Sequence, residues 1–251
     1  MSKITVYPDN ESLISGAADF IADAAVQALG ARGRFTLALS GGHTPRPVYA
    51  RLATAPYRDR IDWSKVEVFF GDERCVRPDD PQSNYLMVKT ALFDEVPLPE
   101  ANIHRIRGEE DPEQAAAAYA QELQRTFGGE AAAGGSPMEG FDLILLGMGD
   151  NGHTASLFPG LAVITETVRW VMAQYVEVAG MWRITLTPVV INAARQVAFL
   201  VSGANKAEML RRVLEGPYQP VVLPSQIVKP THGELHWLLD EPAAAKLRRE
   251  S

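Results

Sequence analysis

Residues 141–160 read FDLILLGMGDNGHTASLFPG, an apolar run that stops abruptly in a glycine-rich turn carrying a histidine. The run 141–147 predicts a buried strand, and Gly147, Gly149 and Gly152 spell Gly-x-Gly-x-x-Gly, the pattern of a dinucleotide-binding turn. That reading needs a full helix after the glycines, with its N-terminus aimed at a pyrophosphate. Only Thr154 to Phe158 separate His153 from the breaker Pro159-Gly160, little more than one turn. An acidic residue closing the next strand is also missing, since Glu166 precedes VRWVMAQYV instead of ending it. The stretch therefore predicts a strand-end loop that presents His153. With an ordinary pKa near 6.5, a histidine there can act as a general base at neutral pH.

Outward from this strand the chain alternates β-rich apolar runs with helical stretches. Strands are predicted at 4–7, 34–40, 66–70, 141–147, 168–176, 196–202 and 235–240, with helices near 11–29, 45–53, 83–93, 112–127, 205–215 and 241–249. Several strands are apolar on both faces, as in a sheet covered by helices on each side. The expected fold is α/β, a doubly wound, mostly parallel sheet in a single domain spanning 1–251. The Gly/Ala-rich segment 128–140 reads as a flexible surface connection, with the strands on either side in one sheet.

The composition of the 251 residues, 46% hydrophobic and 22% charged, is that of an ordinary globular protein. A net charge of −7 and a pI near 5.3 oppose binding to nucleic acid or to a membrane surface. No uninterrupted apolar run approaches a membrane span, and MSKITVYPDN lacks the basic and apolar regions of a signal peptide. A cytoplasmic protein is expected. Cys75 is the only cysteine, so no internal disulfide can form, and with no cysteine cluster and only five histidines a metal centre is improbable.

In sheets of this class ligands bind beyond the carboxyl ends of the strands. After strand 34–40, Ser40-Gly41-Gly42 leads to Thr44, which can cap a helix beginning at Pro45; exposed N–H groups and the helix dipole there make an anion seat. It is not a Walker loop, because no Gly-Lys-Ser/Thr follows. After strand 66–70, Gly71-Asp72-Glu73-Arg74 could be a solvated ion-paired turn or a fixed positive charge at the sheet edge, with Asp72 and Glu73 holding the Arg74 guanidinium. Cys75 reads as a small packed side chain. Arg183 sits beside a short β-like stretch, and Lys206 lies in a first helical turn, where a cation opposes the dipole unless an anion is bound. Together these loops describe a phosphorylated substrate beside a base.

These motifs resemble the 6-phosphogluconolactonase family of the glucosamine-6-phosphate deaminase / 6-phosphogluconolactonase superfamily. SGGHTPRPVYARLA, VFFGDERCVRPDDPQSNYLM, FDLILLGMGDNGHTASLFPG, ITLTPVVINAARQVAFLVSGANKAEML and HGELHWLLD occur in the family's order and approximate spacing over nearly the whole chain. The resemblance implies hydrolysis of a small phosphorylated sugar lactone without metal or organic cofactor, by a monomer or weak homo-oligomer. It implies that Ser40, Gly41, Gly42 and Thr44 hold the phosphate with Arg183 and Lys206, that Asp72 and Asn151 line the substrate site, and that Arg74 and His153 work at the lactone. One departure stands out. The family usually shows Asp-Gly-His where this chain has Asn151-Gly152-His153, and the related deaminase carries a Glu where this chain has Phe158. A sugar-phosphate isomerase or deaminase, or a non-catalytic sugar-phosphate-binding regulator, remains the alternative.

Overall fold

The computed structural model describes residues 2–128 and 139–248; the connection expected at 128–140 lies almost wholly outside them. In chain order the strands are β1 (Lys3–Tyr7), β2 (Phe35–Leu39), β3 (Val66–Phe70), β4 (Asp72–Arg74), β5 (Leu143–Gly147), β6 (Val171–Val176), β7 (Met181–Leu186), β8 (Gln196–Val201) and β9 (Glu234–Asp240). The helices are α1 (Asn10–Arg32), α2 (Pro45–Leu52), α3 (Tyr57–Arg60), α4 (Asn84–Val88), α5 (Pro112–Phe127), α6 (Pro188–Ile191), α7 (Ala207–Glu215) and α8 (Glu241–Ala244).

Six strands form one parallel sheet in the order β1-β9-β8-β5-β2-β3. Its inner strands are apolar on both faces because both faces are covered; every residue of β2 is buried. The register of β2 against β5 is locked at one end by Asp142, whose Oδ2 accepts from both N–H and Oγ1–H of Thr36 while Arg32 pairs with Oδ1 at 2.7 Å. The opposite, carboxyl ends of β2, β5 and β8 are therefore held side by side.

Of the strands expected in this sheet, 168–176 does not join it. β6 pairs antiparallel with β7, and β7 with β4, in a separate three-stranded sheet. Gly71 is where the chain changes sheets: its N–H donates to Leu39 of the main sheet at 2.9 Å, and its carbonyl accepts from Leu186 N–H at 2.9 Å. The helix expected over 83–93 is α4 followed by a widened π turn, Lys89–Phe93. The last helix is shorter than 241–249, ending at Ala244 among the described residues.

α1 is long and apolar enough to cross a membrane on length and hydropathy alone. Its apolar face instead packs Leu13, Ile14, Ala17, Ala18 and Ile21 into the core, and the helix contacts β1, β2 and β9. Asp9 caps it, accepting Ser12 N–H at 2.7 Å, and Gly33 ends it at φ 72°.

Candidate active site

The loops after β2, β5 and β8 meet the small sheet around a cavity of about 450 Å3. Ser40, Gly41, Gly42, Thr44, Asp72, Arg74, His153, Arg183 and Lys206 all line it. Of the expected site residues only Asn151 is not in the wall; it is exposed and meets the site through its hydrogen bond to His153. These positions are far apart in sequence and meet because parallel strands deliver their following loops to the same edge.

No helix follows Gly152; the chain makes turns and a short bridge between Thr154 and Leu157. The glycines have a different role from cradling a pyrophosphate. A Cβ on Gly149 would lie 2.0 Å from the His153 ring, and Gly152 takes φ 79°. Gly149→Ala should thus displace the imidazole, lowering kcat at least tenfold while the circular dichroism spectrum stays native; unchanged kcat would show that the ring has another resting place.

His153 Nδ1 is 2.6 Å from Asn151 Oδ1, and the same oxygen accepts the His153 backbone N–H at 3.2 Å. An atom that takes a backbone N–H must be the amide oxygen, so Nδ1 carries the proton and the Nε2 lone pair is left for chemistry. Phe158 stacks on the imidazole, with centroids 4.0 Å apart and planes 17° from parallel. Burial lowers the His153 pKa to about 4, and Arg183 and Lys206 push it the same way against Asp72 and Asp150. The ring is neutral at pH 7.

Arg74 and Arg183 are directly opposed across β4 and β7. Like charges at such a pair are unfavourable unless something negative lies between or above them. Asp72 Oδ2 is 3.8 Å from Arg183 Nη1 and also accepts from Ser156 Oγ at 2.6 Å. The expectation that Asp72 and Glu73 hold the Arg74 guanidinium is not met. Glu73 is buried and accepts from the backbone N–H groups of Arg74, Asn84 and Tyr85, each at 2.8 Å, bracing the start of α4; Arg74 Nη1 donates to the Gln82 carbonyl. The Arg183 guanidinium lies 5.6 Å over the ring of Phe158, the partner of the imidazole stack.

Five buried side-chain polar atoms lack a partner among the described residues: Ser40 Oγ, Arg74 Nε, Asn84 Oδ1, Arg183 Nε and Trp237 Nε1. Four belong to residues of this one cavity. Buried polar groups are nearly always satisfied, so the concentration marks where a ligand would supply partners. Ser40 is held from behind, its carbonyl accepting the Tyr49 hydroxyl at 2.8 Å. Thr44 occupies the position before α2 but makes no capping hydrogen bond, contrary to expectation, because its own backbone is already helical at φ −68°, ψ −45°. Lys206 stands immediately before α7 and pairs with the exposed Asp150. Burial and Glu73 push the Cys75 thiol up to about 11, so it stays protonated.

Sequence reasoning passed over Asn84, and singled out Phe158 only as the place where the related deaminase carries a Glu. Asn84 donates to the Asp72 carbonyl at 2.8 Å and crowds Gly41, where a Cβ would meet its Oδ1 at 1.7 Å. Its one local signal is Ser83, which caps α4 and directs Asn84 inward.

Parallel α/β topology, strand-end loops, clustered cations and a neutral histidine define a protein suited to holding a phosphorylated small molecule against a base. The chain belongs to the glucosamine-6-phosphate isomerase/6-phosphogluconolactonase family, whose model matches residues 8–237. It is 42% identical over 245 residues to the 6-phosphogluconolactonase of Nostoc sp., an alignment covering 97% of this chain and 98% of that one. The solved 6-phosphogluconolactonase of Trypanosoma cruzi superposes with a TM-score of 0.87 at 28% identity, covering 99% and 98% of the two chains. A monomeric glucosamine-6-phosphate deaminase shares the fold, with a TM-score of 0.79 at 22% identity over 97% and 99% of the chains.

Proposed function

We propose that this chain hydrolyses 6-phospho-D-glucono-1,5-lactone to 6-phosphogluconate, the pentose-phosphate-pathway step for which its relatives are named, with His153 as general base. One observation supports this most: a cavity that sets neutral His153 beside the paired guanidinium groups of Arg74 and Arg183. A δ-lactone is an activated ester, so catalysis needs a delivered water and a stabilised oxyanion. Nε2 takes a proton as water attacks C1, and a guanidinium stabilises the negative charge that develops on the carbonyl oxygen. The imidazolium then protonates the ring oxygen as the C1–O bond breaks.

The substrate phosphate, largely dianionic at pH 7, needs more than one positive charge. Lys206 and Arg183, with Ser40, Gly41, Gly42 and Thr44, provide that seat, and Asp72 holds Arg183. Arg74 remains for the oxyanion. Because Arg74 and Arg183 are cross-strand neighbours, kinetics must separate them: Arg74→Ala should act mainly on kcat and Arg183→Ala mainly on KM for the phosphorylated substrate. The reverse pattern would exchange their roles.

Phe158 packs on His153 at the position where the deaminase carries a Glu, and the loss of that one carboxylate weighs against the isomerase or deaminase reading, with Asp72 and Asp150 the acids left in the wall. Freshly made 6-phosphogluconolactone and its unphosphorylated analogue, assayed with spontaneous hydrolysis subtracted, test the proposal directly. Enzyme-dependent hydrolysis of the phosphorylated lactone supports it. Binding without turnover would leave the regulator, and ammonia release from glucosamine 6-phosphate the deaminase. A single cytoplasmic domain acting as a monomer or weak homo-oligomer completes this reading, and sedimentation tests the last part.

Asn151 tunes the base. Replacing its amide oxygen by a carboxylate favours the protonated imidazole, so Asn151→Asp raises the His153 pKa and moves the acid limb of kcat/KM to higher pH by roughly 0.5–1 pH unit. The substrate's own phosphate titration is common to both proteins, so their difference reports the enzyme. Coincident acid limbs would mean that position 151 does not set the protonation of His153.

A further inference from the structure

A second cavity, of about 510 Å3, lies away from the lactone site, between α7, the 3-10 turn Pro224–Ile227 and the starts of β1 and β9. Its apolar wall includes Val213, Val228, Leu235 and Trp237. Trp237 is 2% exposed and stacks on Phe199 with centroids 3.9 Å apart, and its indole N–H has no partner among the described residues. An unmet buried donor is unfavourable by an amount that an incoming acceptor would recover. Lys229 also lines the cavity, its ammonium 3.7 Å from the Tyr218 ring centroid and without a carboxylate partner among the described residues.

Among the other polar side chains in the wall, Gln226 and Ser225 are committed, while the hydroxyls of Ser2 and Tyr218 make no hydrogen bond among the described residues. The Gln226 amide donates to the Val213 and Pro217 carbonyls at 3.2 and 3.0 Å, and its oxygen accepts Gln219 N–H at 2.6 Å. Ser225 Oγ donates to the Gly152 carbonyl at 2.9 Å. The unspent side-chain groups are the Trp237 indole N–H, the Lys229 ammonium and the Ser2 and Tyr218 hydroxyls, set against apolar surface. That set of donors, led by an ammonium and backed by apolar surface, suits a small carboxylate with an apolar ring and is poorly matched to a cation.

The turn that lines this cavity also holds the base. Ser225 N–H donates to the same Gly152 carbonyl at 2.9 Å, and Leu223 and Met209 close on Gly152, where a Cβ would meet them at 3.1 and 3.2 Å. Gly152 directly precedes His153. We propose that the cavity is a binding site for small ring-bearing carboxylates, and that its occupancy is transmitted through Ser225 to the His153 loop. The physical link is one layer thick, a turn with the cavity on one side and the catalytic loop on the other.

Benzoate is a suitable probe. The full chain is labelled with 15N at its indole nitrogens, and the Trp237 resonance is assigned by its absence from Trp237→Phe. Benzoate should displace that resonance saturably, whereas inorganic phosphate, which lacks the apolar body, and benzyl alcohol, which lacks the charge, should not. Lys229→Ala, a change at an exposed position, should weaken benzoate at least about fivefold. Lactone hydrolysis should change by about fivefold or more with the same midpoint, the lower end of ordinary coupling between sites. No saturable displacement of the Trp237 resonance, or equal affinity in Lys229→Ala, would overturn the site. Saturable binding with unaltered hydrolysis would overturn the coupling.

Discussion

His153→Ala is expected to lower kcat for 6-phosphogluconolactone by at least ~10²-fold, the low end of what a positioned general base contributes. The effect should fall on kcat and leave product binding nearly intact, because the proposed mechanism sets His153 at the reacting end and the phosphate on other loops. His153 is held by its Asn151 hydrogen bond and its stack on Phe158, so truncation leaves a gap at the cavity wall without unravelling β5. A native circular dichroism spectrum together with the kinetic loss would support a catalytic role. Wild-type turnover in a folded variant would remove His153 from the mechanism. His153→Gln sharpens the test, since it retains a hydrogen-bonding side chain but cannot take the proton.

Lys206→Ala should raise KM for the phosphorylated lactone by about 10- to 100-fold, the range expected on losing a charge-assisted hydrogen bond, with a much smaller change in kcat. It should scarcely alter kcat/KM for the unphosphorylated lactone. Lys206 is paired with Asp150 in the structure, and Asp150 is largely exposed, so a dianionic phosphate can compete for the ammonium while the carboxylate turns to water. Equal losses on both substrates would show that Lys206 serves the loop, or the field around His153, rather than the phosphate. Asp150→Asn separates these possibilities: if the ion pair only holds Lys206 back from substrate, the variant should bind the phosphorylated lactone at least as tightly as the parent.

How much of this was legible before the fold was known differs from residue to residue. His153 could be read because it stands on glycines at the end of an apolar strand, a place where core packing gives a histidine little to do. Ser40 to Thr44 could be read for a similar reason, since strand, glycine pair and helix-opening proline are contiguous. Phe158 and Asn84 could not. An aromatic before Pro159 and an asparagine at a helix start are ordinary local choices, and only the meeting of separate segments turns one into the face against which the imidazole stacks and the other into the contact that crowds Gly41. The pairing expected for Arg74 failed because Glu73, its neighbour in the strand, points to the opposite face, while Asp72, on the same face as Arg74, is taken by other partners. Glu73 therefore turns to the backbone of α4, and Asp72 turns to Ser156 and Arg183.

By itself the sequence determined the alternating α/β architecture, the strands of the parallel sheet and the loops that carry the chemistry, because those depend on periodicities of two and 3.6 residues and on glycine and proline at strand ends. Tertiary structure alone decided that 171–176 leaves that sheet for a second one, since pairing partners are chosen by hydrogen bonds between strands distant in the chain. It decided that Arg74 and Arg183, 109 residues apart by subtraction of their numbers, face each other across β4 and β7. It also decided the protonation of His153, because burial and the charges of Asp72, Arg183, Lys206 and Asp150 reach the ring through space, from loops that the linear chain keeps apart.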